Sequence, residues 1–253
     1  GVVEYRDAYA TVGQLDEALD TIRWGTDWLI KAHPSPNVLY AQVGDGHVDH
    51  SYWGPPETMT MNRPAWKVDV SNPGSDVAAE SAAALAAASI VFRDSDPTYA
   101  DELLAHAVEL YAFADAYRGK YSDSIPNAQN FYNSWSGYED ELVWGAMWLY
   151  KATGDSAYLT KAESYWDSML GGLNSGWTQN WDDKSYGAAV LLAQATGKSK
   201  YTQQVESWLD NWVSGSIQKT DGGLAWLDTW GSLRYAANTA FLAFIYGDTV
   251  NDK

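Results

Sequence analysis

The sequence predicts an all-α fold built from repeated helical hairpins. Three observations lead there. Apolar residues recur with the helical period through eight segments, and no strand pattern competes with them over any length. Short turns containing a glycine or proline separate some of these segments. Long loops carrying pairs or trios of aromatic residues separate the others.

The first helix is expected over 14–31, where Leu15, Leu19, Ile22, Leu29 and Ile30 recur with charges between them. An alanine-rich helix follows over 75–93, with Ser75-Asp76 suited to an N-cap. A third, over 98–117, repeats the period through Leu103, Leu104, Val108 and Leu110. Further helices are expected near 138–152, 156–170, 184–196, 199–213 and 230–246. The short turns echo one another: Phe92 to Tyr99, Ala152 to Tyr158 and Ala195 to Tyr201. Gly154 and Gly197 can end a helix in the left-handed conformation, with Ser156 and Ser199 near the next helix start. These glycines lie 43 residues apart, about one hairpin with its loop. Such units stack as a solenoid or close as a ring. Loops this long and aromatic favour a ring, where they converge over one mouth.

Composition narrows the function classes. The 253 residues suffice for one large domain or two small ones, and 46% hydrophobic residues allow a substantial core. Fourteen Trp and 17 Tyr against 5 Phe favour half-wet surfaces as well as core. A net charge of −17 repels phosphate backbones and anionic lipid, so neither nucleic acid nor a membrane is an expected partner. The absence of cysteine excludes disulfides, thiolate catalysis and zinc–thiolate sites. No apolar run reads as long enough to span a membrane, and no signal peptide is visible. The opening Gly-Val-Val-Glu-Tyr-Arg reads as the middle of structure.

The loops carry Tyr52-Trp53, Phe131-Tyr132 with Trp135, Trp177 with Trp181, and Trp226 with Trp230. With helices running up and down, alternate connections fall at one end and gather these rings on one face. A row of flat rings with carboxylates nearby suits a sugar chain, whose C–H faces stack while its hydroxyls take hydrogen bonds. His47, Asp49 and His50 suggest a metal trio, but nothing in the sequence fixes their spacing. A hydrogen-bonding histidine beside a sugar-stacking Trp53 is the favoured reading.

Four blocks then carry a resemblance: the run from Gln42 to Trp66, Tyr132 to Trp144, Trp181 to Gly187, and Trp230 to Phe241. In order and position they resemble family nine of the glycoside hydrolases, inverting cellulases on an α/α six-hairpin toroid. The resemblance covers the whole chain. It implies one partial toroid domain over 1–253, with eight of the twelve helices that six hairpins contain. It implies hydrolysis of internal β-1,4-glucosidic bonds in cellulose or related β-glucans, by a secreted endoglucanase. His50 and Trp53 resemble cleft residues on the non-reducing side of the cut. Phe131, Tyr132 and Trp135 resemble cleft-wall aromatics near the reaction centre. Trp177 resembles a stacking platform, with Trp181 beside it, and Trp230 and Arg234 resemble a platform and hydrogen-bonding partner on the leaving side. Ser136, Gly137, Asp140, Glu141 and Asp182 match a structural calcium site of the family. Read without the resemblance, Asp140 and Glu141 are an ordinary acidic helix start.

An inverting glycosidase needs an acid and a base. The family takes its base from an Asp-Ala-Gly-Asp motif and its acid from a Glu near the C-terminus, after a loop bearing His and Arg. Neither occurs here, and Asp7, Glu57, Asp182 and Asp183 match no catalytic position. No catalytic residue is therefore assigned. The expectation is that the missing N- and C-terminal parts of the same domain supply them, and that this chain alone is inactive. The alternative is a non-catalytic glucan-binding α/α domain. Terpene cyclases share the toroid but need an Asp-rich metal motif, which Asp182-Asp183 alone does not make. A peptide-binding solenoid would not need so many loop tryptophans.

Overall fold

The computed structural model describes residues 1–251. In chain order the elements are α1 Val2–Thr11, α2 Leu15–Ala32, β1 Val38–Val43, α3 Gly46–His50, β2 Ala65–Asp69, α4 Ser75–Phe92, α5 Pro97–Ala116, α6 Tyr121–Ser124 and α7 Gln129–Tyr132. They continue with α8 Glu139–Thr153, α9 Ser156–Tyr165, α10 Ser185–Thr196, α11 Ser199–Val213 and α12 Ser232–Asn251.

All eight expected helices are present, and they form two layers. α4, α8, α10 and α12 lie side by side, while α5, α9 and α11 pack outside α4, α8 and α10 in turn. The sequence explains the division. α11 buries one stripe, Tyr201, Val205, Trp208 and Trp212, at helical spacing, and leaves its other face wet. α4 and α10 are apolar nearly all round, as helices with neighbours on several sides must be. Small residues let these inner helices approach closely: Ala78, Ala79, Ala82 and Ala86 are fully buried on α4. Opposite them Gly145 of α8 leaves so little space that a Cβ would stand 3.1 Å from the Ala79 carbonyl and 2.9 Å from the Tyr111 ring. Larger side chains such as Leu85, Leu103, Leu142 and Leu192 fill what remains. Each contributes about 1.5–3 kcal/mol by leaving water.

The turns follow the expected chemistry with different caps. Gly154 and Gly197 end α8 and α10 at φ 72° and 62°, in the left-handed region. The side-chain cap of α9 is Asp155, which accepts from the Ala157 N–H, not Ser156. α4 is capped by Gly74, and Ser75 donates instead to the Ala114 carbonyl on α5.

Three features depart from the sequence reading. α1 is an additional helix, irregular at Tyr5 and burying only Val2, so it leaves little apolar signature. β1 and β2 form an antiparallel pair, with Leu39 opposite Val68 and a bulge between Tyr40 and Gln42. The strands are five and six residues long and mostly half-exposed, too short for a periodicity signal. Finally, α4 is long and apolar enough to cross a membrane by length and composition, contrary to expectation. Its apolar surface is instead packed among the other helices.

Candidate active site

The long connections after β1, α5, α9 and α11 lie at one end and surround a cleft of about 790 Å³. At its rim α3 is held by Asp45, whose carboxylate accepts the N–H groups of His47 and Val48 at 2.9 and 3.0 Å. Asn127 donates to the other Asp45 oxygen at 2.8 Å and ties this loop to the next. Only glycine fits at position 46, where a Cβ would stand 2.5 Å from the Phe131 ring. That close approach lets His50 stack on Phe131, with centroids 4.3 Å apart and planes at 27°.

His47, Asp49 and His50 do not converge as a metal group among the described residues. Asp49 pairs with Arg63 at 2.6 Å. His47 meets Asn130 at 3.2 Å, and His50 meets the Gly46 carbonyl at 2.7 Å.

His50, Phe131, Tyr132, Trp135, Trp177, Trp181, Trp230 and Arg234 all line the cleft. Trp135 and Trp230 are 77% and 81% exposed and offer whole ring faces. Tyr132 and Trp181 meet edge to face at 5.4 Å. Trp177 is half-buried, and its carbonyl accepts the indole N–H groups of Trp208 and Trp212 from α11. Arg234 lies over the Tyr235 ring and donates to its hydroxyl at 2.8 Å, while its Nε is buried without a partner. Trp53 departs from the group: it is fully exposed on the 44–64 loop and does not line the cleft.

Beneath these rings lies a group of acids. Asp182 fastens two loops together: its carboxylate accepts the N–H groups of Trp135 and Ser136, both at 2.9 Å, and its carbonyl accepts from Ser136 Oγ. Gly137 sits at φ 104°, and its carbonyl accepts from Ser134 Oγ at 2.7 Å. Asp140 is buried, with one oxygen accepting the Lys184 N–H at 2.5 Å and the other unpartnered. Burial, and then nearby Asp183, push its carboxyl up to about 7. Glu141 is buried with one oxygen unpartnered, and burial followed by Asp140 raises it well above the usual range. Burial also raises Asp183.

Asp183 is the residue that sequence reasoning passed over. It bears directly on Asp140, whereas the Asp182 carboxylate is taken up by backbone N–H groups. Tyr235, directly after Arg234, was missed as well. The signal in both cases was adjacency to an assigned residue within a matching block.

Residues 1–253 match the family described as Glycosyl hydrolase family 9. Endoglucanase A of Bacillus pumilus is 53% identical over 260 residues, covering all of this chain and 40% of that protein. An endoglucanase structure from the termite Nasutitermes takasagoensis superposes with a TM-score of 0.94 at 51% identity, covering 98% of this chain and 57% of that one. Endoglucanase CelQ from Clostridium thermocellum, solved with cellotriose, superposes with a TM-score of 0.89 at 39% identity, covering 99% of this chain and 42% of that one. The fold and cleft define a glycoside hydrolase scaffold of the α/α toroid type. The chain belongs to glycosyl hydrolase family 9, and its two helical layers form an arc of that toroid. It spans about two fifths of the curated relative and about half of the solved structures it matches.

Proposed function

We propose that this chain supplies the glucan-binding cleft of an enzyme that cleaves internal β-1,4-glucosidic bonds with inversion. The observation that carries the reading is the convergence of exposed rings from separate loops on one cleft, in a member of a family whose relatives are named endoglucanases. Trp135 and Trp230 present flat faces to pyranose rings, and Arg234, which lines the same cleft, offers its guanidinium to a sugar hydroxyl. These contacts hold and register the chain; they do not break the bond.

Inversion needs one carboxyl to protonate the leaving oxygen and another to activate water on the opposite face. The cleft carboxylates are engaged locally: Asp182 with Trp135 and Ser136, Asp183 with Ser185, and Asp228 with the Thr229 N–H. The acid and base then come from parts of the parent enzyme outside residues 1–253, and this chain alone turns over no glucan. Proton NMR of early products from the parent enzyme tests the stereochemistry. The α-anomer is expected first, and early β-anomer would sink the reading.

A calcium ion belongs to the same proposal. The unpartnered oxygens of Asp140 and Glu141, with Asp183 close by, fit a hard divalent cation. Asp140 and Glu141 would hold it, completed by Ser136, Gly137 and Asp182 of the resembling set; among the described residues no three acidic or histidine side chains converge as a metal group without such an ion. It would supply positive charge to Asp140, which has no cation beside it, and stiffen the loops bearing Trp135 and Trp181. A polymeric substrate is met outside the cell, so secretion of the parent is part of this reading. Fractionation that finds the parent only inside cells would contradict it.

A further inference from the structure

Lys184 is the cap residue before α10, and its side chain is 6% exposed. A cation at a helix N-terminus faces the positive end of the macrodipole, so helix stability does not explain it. Its neighbours do. Nζ lies 2.9 Å from Glu80 Oε2 on α4 and 3.8 Å from Glu141 Oε1 on α8. It also donates to the carbonyl of Trp181 in the cleft loop. An ammonium has three protons, and here they face two inner helices and one loop.

The placement of Trp181 gives this arrangement its meaning. Trp181 and Tyr132 line the glucan cleft on one side and, on the other, a second cavity of about 250 Å³ that Asp76, Glu80 and Glu141 also line. The two spaces share Tyr132, Trp181 and Asp182 as lining. Lys184 connects the Trp181 segment of that shared lining to α4 and α8.

We propose that Lys184 is a positioning residue: its ammonium, fixed from behind by Glu80 and Glu141, holds the Trp181 carbonyl and so sets the Trp181–Tyr132 pair at the cleft floor. The inference rests on the glucan-cleft reading and adds the group that aims its floor. An ion pair with Glu80, whose side chain is 43% exposed, would be dispensable together with its partner if it served stability alone. The bond to the Trp181 carbonyl would not be, because an apolar side chain at position 184 leaves that oxygen without its donor.

The test compares Lys184→Met with the double variant Glu80→Gln, Lys184→Met. The readouts are thermal melting, calorimetric affinity for cellotetraose, and backbone amide exchange across 181–183. Lys184→Met should lower the melting temperature. The double variant should regain most of that loss yet bind cellotetraose on the order of tenfold more weakly, the scale of one charge-assisted hydrogen bond. A double variant that melts and binds like wild type overturns the proposal. If neither variant folds, the wild-type Lys184 ammonium is followed by nitrogen NMR. It should shift on saturation with cellotetraose, and an unmoved signal overturns the proposal. If wild type itself binds no cellotetraose, the cleft reading fails first. Lys184 is then judged by exchange, where unchanged rates at 181–183 in the double variant, or in Glu80→Gln if that alone folds, reject it.

Discussion

Two carboxylates at the same end of the molecule, one half-buried and one buried, face opposite electrostatic situations. Asp115, near the end of outer helix α5, pairs with Lys161 and Arg118 and accepts the Tyr165 hydroxyl at 2.6 Å. Burial alone would raise its carboxyl, but hydrogen bonds from Lys161, Tyr165 and Arg118 outweigh it and hold the group below its usual range. Asp140, on inner helix α8, receives one backbone N–H and no cation, and it is pushed up to about 7 by burial and then Asp183. The outer acid is neutralised by the fold. The inner one is left short of positive charge where the aromatic loops converge. Depth and pairing therefore run in opposite directions: the shallower acid is matched by two cations and secures helices, while the deeper one has a single backbone N–H as partner.

Substitutions can break this contrast. The largest effect is expected at the outer site. Asp115→Ala leaves Lys161, Arg118 and Tyr165 without their shared acceptor and should cost about 1–3 kcal/mol in urea unfolding. A loss under about 0.5 kcal/mol would place Asp115 among ordinary surface acids. The inner site should respond to metal instead. Calcium at a hundredfold excess over its Kd should raise the melting temperature by about 5–10 °C, more than magnesium does. Asp140→Asn should abolish that rise without the stability loss seen at Asp115. Identical melting curves in chelator, calcium and magnesium would remove the ion from the account.

Smaller effects sharpen the contrast. Trp230→Ala should weaken cellotetraose binding by about 1–1.5 kcal/mol while leaving melting unchanged, since that ring is 81% exposed. Trp148→Ala should do the reverse, because Trp148 packs edge to face on Trp144 within the body. Unchanged affinity in a folded Trp230→Ala protein would end the platform assignment. The last effect is in pH. Burial, joined by His106 at 2.7 Å, holds His33 below its usual 6.5. The unfolded chain therefore binds the extra proton first, and stability is full above about 6.5 and falls as pH drops below it. Asp115, held below 3.8, adds a second loss only at pH below that value. His33→Gln should flatten the upper window and Asp115→Asn the lower. A single merged transition in both variants would contradict the separation.

Most of the helical scaffold was legible because long amphipathic or alanine-rich segments carry their period openly, as in 75–93 and 199–213. The same logic was blind to α1, whose apolar residues form no stripe, and to the β1–β2 pair, where only Leu39 and Val68 are deeply buried. The grouping of the cleft rings followed from counting alternate loops. Trp53 escaped that logic because loop membership does not fix where a ring points. Lys184 was illegible for another reason. A lysine after two aspartates reads as solvated charge, and only the fold brings Glu80 and Glu141, 104 and 43 residues away, to its ammonium.

The contact of Gly145 with Ala79 and Tyr111 has a mechanical consequence. Because α4 and α8 touch nearly backbone to backbone, their separation has no compressible layer to absorb change. Neighbouring hairpins behave as wedges, and the small residues along α4 and at Gly145 set the wedge angle. The curvature of the arc, and with it the spread of the loops at its end, is then geared to helix spacing. A single added methyl at position 145 would act as a shim, opening the mouth of the cleft from a point far below any ring that faces it.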